Sequence, residues 1–115
     1  MKKQTSERKW CVYMHTNKIN NMVYVGITSN KATERWGLDG SAYLRVRKDN
    51  KYEHPKFAPA ILEYGWDNFE HIIFDENLTY KEACNQERLL IALWDSFNNG
   101  YNANKGTNEI GRAHV

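Results

Sequence analysis

Glu87 is the side chain that most demands a chemical explanation. It stands in the run Thr79 to Phe97, where Ala83, Leu89, Leu90, Ile91, Leu93, Trp94 and Phe97 fill a broad apolar arc of the helical wheel, and it falls inside that arc, flanked by Ile91 and Trp94. Taking a carboxylate out of water is costly unless it is paired or bound to a metal. Glu87 is therefore half of an ion pair, a carboxylate at the solvent edge of the arc, or a residue of a site. Tyr13 and Tyr24 are the second feature. Each lies in a short run of β-branched and aromatic residues, and strand alternation sends both to the same side. Such a pair is either ordinary cross-strand packing or two hydroxyls aimed at one substrate. Arg35 carries a planar fork that suits a phosphate oxygen and equally suits solvent. His15, His54 and His71 lack metal-ligand spacing and belong to separate elements, which reads as surface or satisfied histidines.

The elements that must position these groups follow from pattern. Trp10 to His15 and Met22 to Ile27 read as two strands joined by Asn17-Lys18-Ile19-Asn20-Asn21, a turn-forming stretch. On that hairpin Trp10, Val12, Met14, Val23, Val25 and Ile27 form an apolar face. Cys11, Tyr13, His15, Met22, Tyr24 and Gly26 share the other. Ser29 or Asn30 is expected to cap a short helix carrying Glu34, Arg35 and Trp36, stopped by Gly37 and Gly40. Residues 43–51 read as a loop that exposes Arg45, Arg47, Lys48 and Lys51. Phe57, Ala60, Ile61 and Tyr64 recur at helical spacing, with Pro55 or Pro59 near the start and Gly65 just past the end. Phe69 to Phe74 reads as a third strand. Thr79 to Glu82 is a capping box, with Leu78 and Ala83 as its staple, and the helix it opens is expected to run to about Phe97.

Composition narrows the class. The chain has 115 residues, which suits one domain, with 41% hydrophobic and 26% charged residues. Its longest apolar run, Leu89 to Trp94, is far short of the about 18 residues a membrane helix needs. No phosphate-cradling G-x-x-x-x-G-K-S/T loop occurs. Met1 to Lys9 is basic without the apolar stretch of a secretory signal, and Cys11 and Cys84 form no C-x-x-C pair, so a reducing interior is expected. The net charge of +2 hides a division: residues 1–52 sum to +7 and residues 53–97 to −6. A polyanion would meet the first half. Ile110 to Val115, preceded by Glu109, matches the in-frame translation of a sequencing-library adapter. We read residues 109–115 as an assembly artefact, the alternative being a polar tail; on the first reading a continuation of the native gene past Thr107 into a second domain stays open.

In order, spacing and context these pieces resemble the GIY-YIG nuclease superfamily. Cys11-Val12-Tyr13 corresponds to the first half of its motif and Tyr24-Val25-Gly26 to the second. Arg35 follows in Glu34-Arg35-Trp36, then Tyr64-Gly65-Trp66-Asp67-Asn68-Phe69, Glu87, and Gly100-Tyr101-Asn102. The resemblance covers residues 10–106, leaving 1–9 and 107–115 as tails, and implies an α+β domain: a three-stranded antiparallel sheet flanked by helices. It also implies metal-dependent hydrolysis of DNA phosphodiester bonds, with Mg²⁺ or Mn²⁺ as cofactor and DNA as partner. The implied roles are Tyr13 as proton acceptor or water positioner, Tyr24 as a phosphate-site hydroxyl, Arg35 as phosphate clamp, Glu87 as metal ligand and Asn102 as support. Arg45, Arg47, Lys48 and Lys51 are the expected DNA surface. Cys11 stands where the family motif has Gly. Asp39 stands where many members carry His or Tyr one helical turn after the arginine, and Tyr43 or His54 are alternatives for that group. The rival readings are a binding module that kept the fold and lost hydrolysis, and a structural α+β protein with an ion-paired Glu87. The expected setting is the cytoplasm of a bacterial or phage-infected cell, in homing, restriction, phage or mobile-element, or repair work.

Overall fold

Asparagines bend the chain between its first two strands. The Asn17 Oδ1 accepts from the Ile19 amide and the Asn20 Oδ1 from the Met22 amide, at 2.8 and 2.9 Å, while Asn21 takes up a left-handed φ of 66°. The turn joins β1 (Trp10–Asn17) to β2 (Val23–Thr28), which pair antiparallel with Tyr13 opposite Gly26 and His15 opposite Tyr24. The computed structural model describes residues 9–29 and 31–107. The N-terminal basic tail, Asn30 as a helix cap and the adapter-like segment 109–115 lie outside the described residues.

β3 (Phe69–Leu78) pairs antiparallel with β1, so the sheet order is β2-β1-β3 and β1 is central. The strand runs four residues beyond the expected end at Phe74, through Asp75-Glu76-Asn77. These are poor strand formers, held here by pairing to the start of β1 through irregular register. Both faces of the β1–β2 hairpin are covered, whereas β3 is largely exposed between Phe69 and Leu78. Val12, Met14, Val23 and Val25 pack with Leu78, Ala83 and Ile91 on one side. Cys11, Tyr13, Trp36, Tyr43, Phe57, Phe69 and Tyr101 build an aromatic core on the other. The two-residue alternation of β1 and β2 therefore sorts side chains between two cores.

The N-cap position of α1 (Ala32–Trp36) is Lys31 rather than Ser29, and Gly37 ends the helix. A 3₁₀ turn, Ser41–Leu44, buries Tyr43, and an isolated bridge between Val46 and Tyr52 closes the basic loop. α2 (Phe57–Tyr64) buries Phe57, Ala58, Ala60 and Ile61 and ends at Gly65, whose φ of 86° only glycine adopts cheaply. α3 (Tyr80–Trp94) starts with the expected box: the Thr79 hydroxyl accepts from the Glu82 amide and the Glu82 carboxylate from the Thr79 amide. Its end corrects the expectation. Asp95 turns left-handed at φ 52°, so α3 stops at Trp94 and α4 (Ser96–Asn99) starts separately, with the Asp95 carboxylate accepting from the side-chain Nδ2 groups of Asn98 and Asn99. The apolar arc is also narrower than expected. Leu89, Leu93 and Trp94 are 69, 75 and 49% exposed, and the buried stripe is Ala83, Cys84, Glu87 and Ile91. No helix among the described residues is long and apolar enough to cross a membrane.

Candidate active site

Gly26 lets Tyr13 reach its place. A Cβ there would sit 2.5 Å from the Tyr13 hydroxyl oxygen, so the bare backbone of β2 forms the wall against which that phenol rests. Tyr13 is 1% exposed and its ring meets Trp36 edge-on. Tyr24, diagonal to it on the same face, stacks on Phe57 with ring centroids 4.6 Å apart. Tyr43 enters from the 3₁₀ turn: its ring lies 4.9 Å under the Arg35 guanidinium, 5.4 Å from Tyr24 and 5.2 Å from His54. Arg35 also reaches His54, Nη2 to Nε2 at 3.4 Å. The arrangement gathers Tyr13, Tyr24, Tyr43, Arg35 and His54.

Burial pushes all three phenols above their ordinary range. The Arg35 charge opposes this at each, and at Tyr13 a hydrogen bond with Tyr43 also lowers the value. Burial works against the Arg35 charge, yet Tyr13, Tyr43 and Tyr24 hold its pKa above the usual value, so the cation is permanent. Burial and the same guanidinium depress His54, which is neutral at neutral pH.

Glu87 lies across a cleft of about 180 Å³ that it lines with Tyr24, Glu53, His54, Asn102 and Thr107. It is 8% exposed, and Oε1 accepts from the Thr107 amide at 2.9 Å. Among the described residues no cation pairs with it, the one ion pair being Arg47 with Asp49 on the surface. Burial raises its pKa against the lowering by the Thr107 hydrogen bonds and by the more distant Arg88 charge. No group of three His, Cys, Asp or Glu side chains converges among the described residues, so an all-protein metal cage is absent there. A lone buried carboxylate facing an open cleft does fit a hydrated hard cation such as Mg²⁺, which keeps most of its waters and takes one or two carboxylates.

Asn102 plays a different part. Its Oδ1 accepts from the Val25 amide and its Nδ2 donates to the Val25 carbonyl, both at 2.9 Å, so the side chain mimics a strand partner on the outer edge of β2. The Ser96 hydroxyl donates to the same Oδ1, and the Asn102 amide donates to the Ser96 carbonyl. It thus holds Tyr24 in place from the residue next door. Asn102→Ala should strand two buried backbone groups and lower stability by about 2 to 3 kcal/mol. Urea unfolding with an unchanged midpoint would refute this clamp. Asp39 stays at the surface, its carboxylate accepting from the Ser41 amide. Arg45, Arg47, Lys48 and Lys51 are exposed as expected. Sequence spacing missed one cluster: the antiparallel register places His15 opposite His71, and their Nδ1 atoms lie 2.9 Å apart.

The family model described as the GIY-YIG catalytic domain matches residues 9–102. The chain belongs to the GIY-YIG family. One relative is the segB protein of Enterobacteria phage T4, a candidate endonuclease, 35% identical over 74 residues that make up 64% of this chain and 33% of the relative. The chain therefore spans about a third of the length of that curated relative. The fold matches the catalytic domain of the homing endonuclease I-TevI at a TM-score of 0.63, with 26% identity over 83% of this chain and 98% of that one. A mutant form of the same intron endonuclease domain matches at 0.66, with 24% identity over 86% and 97%. The GIY-YIG sheet and its helices are thus present almost whole. In this GIY-YIG chain the first half-motif begins with Cys11, buried opposite Thr28 at the rim of the aromatic core. Tyr43, rather than Asp39, stands beside the arginine.

Proposed function

We propose that this domain is an endonuclease that hydrolyses DNA phosphodiester bonds with Mg²⁺ or Mn²⁺. One observation carries the reading: Tyr24, His54 and Glu87, a buried carboxylate in no ion pair among the described residues, line one cleft, with Arg35 against His54. Arg35 would grip a phosphate oxygen and offset the charge that builds as phosphorus becomes five-coordinate. Tyr24 would donate to a second phosphate oxygen, and Tyr13 would take the proton of the attacking water. Glu87 would hold the metal, which when bound supplies positive charge to the phosphate and acidifies a water. Asn102 serves by fixing β2. The proposed domain spans residues 10–106. DNA specificity would come from sequence outside it, since the phage relative is about three times longer than the matched region. We also propose the cytoplasm of a bacterial or phage-infected cell as its setting.

Incubation with supercoiled plasmid tests the proposal. Nicking with Mg²⁺ or Mn²⁺ and none with EDTA is the expected result; binding without nicking under every metal would favour the binding-module reading. The DNA surface has its own test. Phosphate contacts release counterions, so the logarithm of affinity falls with the logarithm of salt by about 0.9 per contact. Changing Arg45, Arg47, Lys48 and Lys51 to Ser should weaken binding and flatten the slope by about 3, because Arg47 is already paired to Asp49 at 2.8 Å. An unaltered slope would move the DNA to another face.

A further inference from the structure

His15 is 0% exposed, and both of its ring nitrogens are engaged: Nδ1 meets the His71 Nδ1 at 2.9 Å and Nε2 meets the Tyr43 hydroxyl at 2.9 Å. Tyr43 in turn is hydrogen-bonded to Tyr13. The four side chains form an unbroken hydrogen-bonded row from Tyr13 to the half-buried His71 on the outer strand. A neutral imidazole has one donor and one acceptor, so the tautomer of His15 dictates which way both of its bonds point and which way the Tyr43 hydroxyl turns. We propose that this row is the proton exit of Tyr13, with His15 and His71 as positioning residues for the reaction. The proposal rests on the reading of Tyr13 as proton acceptor.

The need for an exit follows from burial. Tyr13 keeps its proton at neutral pH, so it can take one from water only by giving up its own. As the water oxygen bonds to phosphorus, its O–H breaks and a new O–H forms on Tyr13. The former Tyr13 proton moves to Tyr43, the Tyr43 proton to Nε2 of His15, and the Nδ1 proton of His15 to Nδ1 of His71, which releases a proton to solvent. A proton passed back along the same bonds, delivered in the cleft to the oxygen leaving phosphorus, restores the starting tautomers. Attack and departure together consume no net proton.

His71 must be neutral to receive. Its surroundings are His15, the Trp36 and Trp66 rings, the Trp66 carbonyl, and the charges of Lys18, Asp67 and Glu70. His15 faces the tyrosines of β1, β2 and the 3₁₀ turn, Phe57 and Trp66, with the Arg35 charge nearby. Burial is the largest cause that depresses both imidazoles, reinforced at His15 by His71 and Arg35 and at His71 by Lys18, against the Trp66 carbonyl, Asp67 and Glu70, so the acid limb of kcat should fall below the ordinary imidazole range.

His71→Ala tests the row in the plasmid-nicking assay with Mg²⁺. kcat should fall by about 100-fold with KM nearly unchanged, and added imidazole should restore much of it. His71→Gln, which can hydrogen-bond to His15 but cannot take a proton, should lose kcat by a similar factor. Wild-type kcat in His71→Ala, or a fall that imidazole does not restore, would overturn the relay. Should His71→Ala fail to fold, wild-type kcat in His71→Gln would do the same. Tyr13→Phe run alongside separates the failures: an active Tyr13→Phe removes the underlying reading, whereas an inactive one beside an unaffected His71→Ala removes the relay alone.

Discussion

Glu87→Gln is expected to abolish metal-dependent nicking while leaving the metal-free protein as stable as before, or more so. In the folded chain burial holds the Glu87 carboxyl above its ordinary pKa, a rise that favours the protonated form. A group whose folded pKa is raised contributes stability that is present below its unfolded pKa and lost as pH rises through the folded value. The Thr107 hydrogen bonds and the Arg88 charge offset only part of the cost of ionising this carboxyl, and Gln removes the remainder. The amide keeps nearly the same volume and still offers an oxygen to the Thr107 N–H. DNA binding through Arg35 and the basic loop should persist. A structural ion pair would behave in the opposite way, since stranding a buried cation costs about 3 to 5 kcal/mol and lowers the melting midpoint by many degrees. Metal-free melting and nicking measured together decide the matter. Strong destabilisation with unimpaired cleavage would sink the metal-site reading.

Tyr13→Phe should lose cleavage by about 10³-fold or more, within the range attributed to a positioned acid or base. The change removes one oxygen and keeps the ring between Gly26 and Trp36. Its cost to folding is one hydrogen bond with Tyr43, about 1 kcal/mol, so melting should shift by a few degrees only. Plasmid binding without metal should match the wild type. If nicking survives, the proton-accepting role belongs to Tyr24, Tyr43 or a histidine.

Local chemistry made much of this legible before any coordinates. The Asn-rich turn and two-residue alternation announced the β1–β2 hairpin, the Thr79–Glu82 box announced α3, and Glu87 drew attention because its charge contradicted its neighbours. What stayed hidden depends on distant partners. A helical wheel shows where apolar side chains point and not which of them meet a sheet, so Leu89, Leu93 and Trp94 looked buried although α3 presents another stripe. The break at Asp95 needs a left-handed backbone at a residue that ordinary helices also contain. His15 and His71 lie 56 positions apart, and only the pairing of β1 with β3 makes them neighbours. The resemblance marks Asn102 as a support, but what it supports, the outer edge of β2 at Val25, shows only once that strand and the Gly100-Tyr101-Asn102 segment are side by side.

The division of β1 and β2 between two cores makes pairing register a matter of enzymatic identity as well as of stability. A slip by a single residue would send Tyr13 and Tyr24 into the aliphatic core and bring Val12 and Val25 to the cleft, exchanging hydroxyls for methyl groups. Both faces are buried, so the slipped hairpin would still find apolar cover, and hydrophobicity alone discriminates weakly between the two arrangements. The discrimination falls to the polar pins: the Asn17 and Asn20 turn bonds and the Asn102 clip on Val25. Asparagine chemistry at the margins of the sheet thus proofreads the site, tying the identity of the cleft to the same bonds that hold the hairpin.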